Sequence, residues 1–141
     1  MKFTDQQLIS KLRENARRST SEIARELGVS RSTVNSRIKR LEDTGVIKGY
    51  TLEYGEDYAN QLVSAHVLIK VNQKLTARTN RDLRQVPEIR AVYAISGDYD
   101  LIAEIEAVST ASLSQTLDRI GNFEGIERTN SSVILETKFR R

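Results

Sequence analysis

The chain has 141 residues, 38% hydrophobic and 29% charged, an ordinary globular composition sufficient for one domain or two small ones. It has no cysteine, which excludes a disulfide framework and a thiolate metal site, and no apolar run approaches the roughly 18 residues a membrane span needs. The net charge of +3 conceals a division: residues 1–50 carry 11 Lys and Arg against 6 Asp and Glu, and residues 51–141 carry 11 against 13.

From the first residues, MKFTDQQLI enters an amphipathic pattern at once, with no long apolar core for a signal peptide, and a soluble cytoplasmic protein is expected. Phe3, Thr4 and Gln7 form a staple and capping box before a helix whose apolar side is Leu8, Ile9 and Leu12. Ser19 caps a second helix, with Glu22 placed to reach back to the cap backbone, and Ile23, Ala24 and Leu27 form a stripe that stops at Gly28. Val29 then precedes a third cap, Ser30, and is spaced to staple onto Val34. Val34, Ile38 and Leu41 recur at i, i+4, i+7, and Gly45 closes that helix.

The buried side of the third helix is thereby fixed, and so is its opposite. At 100° per residue, Ser32, Asn35, Ser36 and Lys39 point away from the stripe, with Thr33 and Arg40 flanking. Short hydrogen-bonding groups and cations without acids suit a major groove, and two short helices joined by a glycine turn outline a DNA-reading module. A solvated surface would account for such a face alone. Here the basic half of the chain coincides with the motif, and counterion release from phosphates makes that coincidence favourable for DNA.

Val46 to Leu52 is β-prone with Gly49 inside and reads as a wing strand; residues 51–62 read as a connecting strand or linker, with a boundary near residue 62. VSAHVLIKV (63–71) alternates Val63, Ala65, Val67, Ile69 and Val71 against Ser64, His66, Leu68 and Lys70, a strand. A polar helix over about Thr76–Gln85 follows, then strands over Ile89–Ser96 and Leu101–Ala107 about a turn at 97–100. Ser109 or Thr110 caps a helix carrying Leu113, Leu117 and Ile120, and a last strand is expected from about Ile126 to Phe139, with Val133, Leu135 and Phe139 on one side. The order is βαββαβ. VPEIRAVYAIS (86–96) and FEGIERTNSSV (123–133) occupy matching helix-to-strand positions, a weak internal duplication.

Three segments in this order, EIARELGVSRSTVNSRIKRLEDTGVIKGY, VYAISGDYDL and GIERTNSSVIL, resemble the leucine-responsive regulatory protein and AsnC (feast/famine) family of transcription regulators, over nearly the whole chain. The resemblance implies an α+β chain: a winged helix-turn-helix followed by a ferredoxin-like βαββαβ ligand-sensing domain at residues 63–141. It places Arg31, Ser32, Thr33, Asn35, Ser36 and Lys39 on the recognition helix. Ser32 and Ser36 are expected at base edges and Asn35 at an adenine, with Arg31, Lys39, Arg40 and Lys48 at phosphates. Arg37 lies beside the buried stripe, leaving a packing role and a DNA contact both open.

The resemblance also implies a small effector, commonly an amino acid, near Gly97, Asp98, Tyr99 and Asp100, where two dimers meet, with Thr129 and Ser131 completing the pocket. Carboxylates suit an α-ammonium group and turn N–H groups an α-carboxylate, although Gly and Asp are also ordinary turn residues. Ser131 stands where the family's pattern has threonine. The implied partners are double-stranded DNA and further copies of the chain, as a dimer and then a tetramer or octamer. His66 is assigned no role, two carboxylates about Tyr99 fall short of a hard-metal site, and no nucleophile elbow or phosphate loop is present, so neither a cofactor nor catalysis is expected. The rival readings are an architectural DNA-binding protein without effector control and an amino-acid-sensing regulatory subunit of an enzyme.

Overall fold

The computed structural model describes residues 3–141; Met1 and Lys2, which open the chain, lie outside the described residues. The chain divides into two compact units, one reaching to Glu53 and one beginning at Tyr54.

The first unit holds α1 (Asp5–Glu14), α2 (Thr20–Leu27) and α3 (Arg31–Asp43). Each begins where a side chain replaces the missing acceptor for the first free N–H groups. Thr4 makes both bonds of a capping box: its hydroxyl accepts from Gln7 N–H at 3.2 Å, and Gln7 Oε1 accepts from Thr4 N–H at 2.8 Å. Ser19 accepts from Glu22 N–H and Ser30 from Thr33 N–H, each at 3.2 Å. The expected return bond from the Glu22 carboxylate is not among those at the start of α2. Gly28 ends α2 in the left-handed region at φ 71°, letting Val29 N–H reach back to Ala24 C=O at 3.0 Å. Phe3, Leu8, Leu12, Ile23, Ala24, Val34 and Leu41 form one buried cluster, with Val29, Ile38 and Ile47 packed against it.

The expected wing strand over Val46–Leu52 is not formed. A strand needs a neighbour to take its N–H and C=O groups, and no other extended segment in this unit is paired as a strand among the described residues. Ile47 is instead held by its N–H on Leu41 C=O at 2.9 Å, and Tyr50 by its hydroxyl on Glu42 at 3.0 Å. Within the expected linker, Glu56–Ala59 makes a single helical turn, α4.

In the second unit, β1 (Val63–Val71), β2 (Ile89–Ala94), β3 (Leu101–Ala107) and β4 (Ile126–Val133) form one antiparallel sheet in the order β2-β3-β1-β4. A 3-10 turn (Gln73–Leu75) and α5 (Thr76–Arg84) connect β1 to β2, and α6 (Thr110–Gly121) connects β3 to β4. Alternation decides the faces. Ala65, Val67, Ile69 and Val71 join Ala103, Ile105 and Ala107 in a core with Leu83 and Val86 from α5 and its exit and Leu113 and Ile120 from α6. Ser64, His66, Leu68 and Lys70 stand on the other face, away from α5 and α6.

The internal duplication reaches the hydrogen bonds. Val86 N–H binds Leu83 C=O and Ile89 N–H binds Val86 C=O, each at 3.1 Å; at the matching places Phe123 N–H binds Ile120 C=O at 3.2 Å and Ile126 N–H binds Phe123 C=O at 3.0 Å. The only buried polar side chains among the described residues, Thr79 and Thr116, also occupy matching positions, on α5 and α6. They differ in one respect. Thr116 donates to Ser112 C=O at 3.0 Å, whereas Thr79 Oγ1 has no partner and lies against Gly125, where a Cβ would sit 1.9 Å from it.

The last strand ends earlier than the sequence pattern predicts, at Val133 rather than Phe139. Val133 pairs with Ala65 and Ile134 N–H binds Ser64 C=O at 2.8 Å, which leaves only Val63 of β1 before its end. Leu135 and Phe139 are 95% and 75% exposed.

Candidate DNA-reading face and effector loop

The buried side of α3 leaves Arg31, Ser32, Thr33, Asn35, Ser36, Lys39 and Arg40 exposed together, and Lys48 is exposed beyond the helix end. Arg31, Asn35 and Lys48 make no side-chain hydrogen bond or ion pair among the described residues, and Lys39 has only an exposed pair with Asp43 at 3.2 Å. Such pairs hold little energy in water and yield readily to a phosphate. The hydroxyls are ordered but not exhausted. Ser36 donates to Ser32 C=O at 3.0 Å, which fixes its rotamer and leaves its lone pairs outward, and Thr33 and Ser32 lie 2.7 and 3.1 Å from the Ser30 hydroxyl.

Arg37 takes the packing role of the two left open. Its guanidinium lies 4.6 Å over the Phe3 ring and donates to Asp5 at 2.8 Å and to Phe3 C=O at 3.4 Å. Arg40 donates to the same Asp5 oxygen at 2.7 Å, so one carboxylate ties α3 to the start of α1. The hydrogen bond from Arg37 first, then the charge of Arg40, hold the Asp5 carboxyl below the usual aspartate range. Asp5 was not visible as a hub because its partners lie more than thirty residues away; the only local signal was an acid in the first turn of a helix.

The loop after β2 separates its two acids. Asp100 is an anchor: its carboxylate accepts from Val71 N–H at 2.9 Å and from Gln73 Nε2 at 3.4 Å, and lies 3.7 Å from Lys70 Nζ. Its own N–H binds Ile69 C=O at 2.9 Å and its C=O accepts from Ile95 N–H at 3.0 Å. Gly97 turns the chain at φ 111°, a conformation that side chains rarely adopt. Asp98 is exposed and makes no side-chain contact of this kind among the described residues. Tyr99 lies under the guanidinium of Arg128, 5.1 Å from the ring centre, a cation–π contact that the sequence reading missed because β4 reaches this loop only through β1.

Thr129 and Ser131 are exposed on β4 opposite Ile69 and Val67. Directly paired residues share a face, so these hydroxyls stand at the sheet's edge on the helix side, while Lys70 and Arg128 point to the other side. Within one chain the six expected effector residues therefore do not converge on one enclosed point: the loop presents Asp98 and backbone groups outward, and the two hydroxyls form a separate row. Among the described residues no cluster of three or more His, Asp or Glu is placed to hold a metal ion, and no helix is long and apolar enough to cross a membrane.

Comparison with known proteins gives these features relatives. A family profile described as the Lrp/AsnC ligand binding domain matches residues 64–141, and one described as winged helix-turn-helix DNA-binding matches residues 4–48. The chain is 33% identical to the HTH-type transcriptional regulator FL11 of Pyrococcus furiosus over 94% of its length and 87% of that protein. It is 31% identical to the HTH-type transcriptional regulator LysM of Saccharolobus solfataricus over 96% of its length and 94% of that protein. Among solved structures, a feast or famine regulatory protein of M. tuberculosis complexed with L-methionine superposes with a TM-score of 0.85 at 29% identity, covering 96% of this chain and 92% of the other. B. subtilis LrpC superposes with a TM-score of 0.83 at 26% identity over the full length of both.

Proposed function

Given that the chain belongs to the Lrp/AsnC family of transcription regulators, we propose that it reads duplex DNA with the outward side of α3 and adjusts its assembly or DNA affinity on binding an amino acid. The observation that carries the DNA reading is the division of α3, whose Val34 and Leu41 are buried while Ser32, Asn35, Ser36 and Lys39 are exposed together. Ser32, Asn35 and Ser36 meet base edges; Arg31, Thr33, Lys39, Arg40 and Lys48 hold the backbone, Arg40 with only part of its guanidinium free of Asp5.

One such unit makes too few base contacts for operator specificity, so two copies read half-sites about 34 Å apart or a multiple of that. The sheet face away from α5 and α6 supplies their first contact. Asn130, Leu68, Ile102 and Tyr93 form one row across it, and Ile134 stands beside Ser64. The effector binds where copies meet, at Gly97, Asp98 and Tyr99. Asp98 takes the ammonium group, Asp100 holds the loop in shape, and Thr129 and Ser131 come from an adjoining surface. Support for an amino acid is the M. tuberculosis relative solved with L-methionine. Bound there, the ligand acts only through its different affinity for the assemblies it joins.

The test is selection of preferred DNA from a random pool with and without each amino acid, L-methionine first, followed by titration across salt. Lys39→Ala should weaken binding to all sequences and reduce the salt slope by about one unit, whereas Ser36→Ala should chiefly change the preferred sequence. Binding indifferent to salt and to Lys39 would overturn the DNA reading, and identical selections with every amino acid would overturn the sensing.

A further inference from the structure

The segment after β4 keeps the alternation of a strand yet has no strand to join. Residues 134–141 are all exposed, and the charged contacts given for the segment stay within it: Lys138 meets Glu136 at 3.1 Å, and the Arg141 guanidinium lies 5.1 Å over the Phe139 ring. Over residues 135–139, in an extended chain, Leu135, Thr137 and Phe139 fall on one side and Glu136 and Lys138 on the other. Within its own chain it cannot be paired through β1, because β1 begins at Val63 and the residues before it turn as α4.

We propose that this segment pairs antiparallel with the same segment of a second copy, about a twofold axis through Thr137. The sequence is complementary to itself in that register. Leu135 then stands opposite Phe139 of the second copy, and Phe139 opposite its Leu135; Glu136 stands opposite Lys138, and Lys138 opposite Glu136. Two apolar pairs lie on one side of the ribbon and two opposite-charge pairs on the other. A register shifted by one residue would place Glu136 opposite an apolar or neutral side chain and lose both sets. Lys138, Arg140 and Arg141 would also suit an arm on DNA, but the alternation of Leu135 and Phe139 with Glu136 and Lys138 is the pattern of a strand that packs, and a phosphate-binding arm has no need of it.

A ribbon of five residues is too short to hold two copies alone. It acts as a second contact beside the sheet face away from α5 and α6, joining pairs of copies into larger closed assemblies. In this it rests on the proposed sheet-face contact, yet it is independent of the DNA and effector readings.

A chain without cysteine lends itself to a direct test. Thr137→Cys, mildly oxidised in the full-length protein, should give a covalent species of twice the mass, because each thiol would face its own copy across the axis; Leu135→Cys should not. Adding Glu136→Lys to Thr137→Cys sets like charges opposite each other twice and should suppress the cross-link, and adding Lys138→Glu as well should restore it. By light scattering, removal of residues 135–141 should raise the concentration needed for the largest assembly on the order of tenfold while the smaller one persists. Equal cross-linking at positions 135 and 137, no cross-linking at 137, or failure of the charge exchange to restore it would overturn the proposal. So would a truncation that weakens DNA binding without changing mass, which would make the segment a DNA arm. Salt-dependent DNA binding that is weakened in Lys39→Ala but intact in the cross-linking variants separates failure of this proposal from failure of the DNA reading.

Discussion

The outward side of α3 and the loop after β2 both present exposed polar groups, but the first is a continuous surface on one element and the second gathers no enclosed site within one chain. On α3, one helix with a buried stripe holds seven expected contact residues on its exposed side, and the hydroxyls among them are ordered by bonds within a few residues, such as Ser36 to Ser32 C=O. At the loop, the groups that face outward depend on a strand two positions away in the sheet, and the hydroxyls of Thr129 and Ser131 look elsewhere. Recognition of a long, repetitive polymer can be carried by one rigid element per copy. Enclosing a small molecule takes walls on several sides, and the loop of one chain offers only one of them.

The largest expected break in that contrast comes from the core under α3. Ile23→Ala removes a fully buried side chain and should cost about 2–5 kcal/mol. Calorimetry should show the first unit melting far earlier and DNA binding should fail, with effector binding to the second unit retained; loss of both together would mean the units do not fold separately. Next comes Gly125→Ala, whose new methyl would press on Thr79 Oγ1 and should cost the second unit about 1–3 kcal/mol, a loss that Thr79→Ala in the same chain should largely relieve.

A smaller effect sharpens the assignment of the two acids. Asp98→Asn should weaken effector binding by roughly tenfold, as expected for a lost charge-assisted contact, without moving the melting temperature. Asp100→Ala should lower the melting temperature by leaving Val71 N–H without its acceptor. The reverse pattern, read by calorimetric titration and thermal unfolding, would exchange the two roles. The smallest effect is electrostatic. Asp5 has its carboxyl held low in the folded chain by Arg37 and Arg40, so its contribution to stability is present above its ordinary value near 3.8 and is lost as pH falls through the lower folded value. Asp5→Asn should flatten the acid side of the first unit's stability profile and leave that of the second unchanged.

What could be read from the chain beforehand follows the range of the forces involved. The caps at Thr4, Ser19 and Ser30, the turn at Gly28 and the alternation of Val63–Val71 are local, and each is where the spacing places it. The two misjudged strands, Val46–Leu52 and the stretch beyond Val133, have the composition of strands; what they lack is a neighbour, and a neighbour is not a property of a segment. The functional residues divide in the same way. The outward set on α3 follows from one helical period, while the hub at Asp5, the Arg128–Tyr99 contact and the anchoring role of Asp100 all require knowing which distant backbone arrives beside them. The family resemblance pointed to the 97–100 loop as a whole and did not distinguish Asp100, which fastens it, from the exposed Asp98.

The knot at Asp100 bears on how quickly a ligand can come and go. A hairpin already fastened to the end of one strand and to the following turn has lost its freedom during folding, so an arriving molecule need not freeze a floppy segment and forfeits little entropy at that step. In the assembly proposed above, its rates of capture and escape would be set by how often neighbouring subunits part, and the response to added ligand should follow the tempo of subunit exchange.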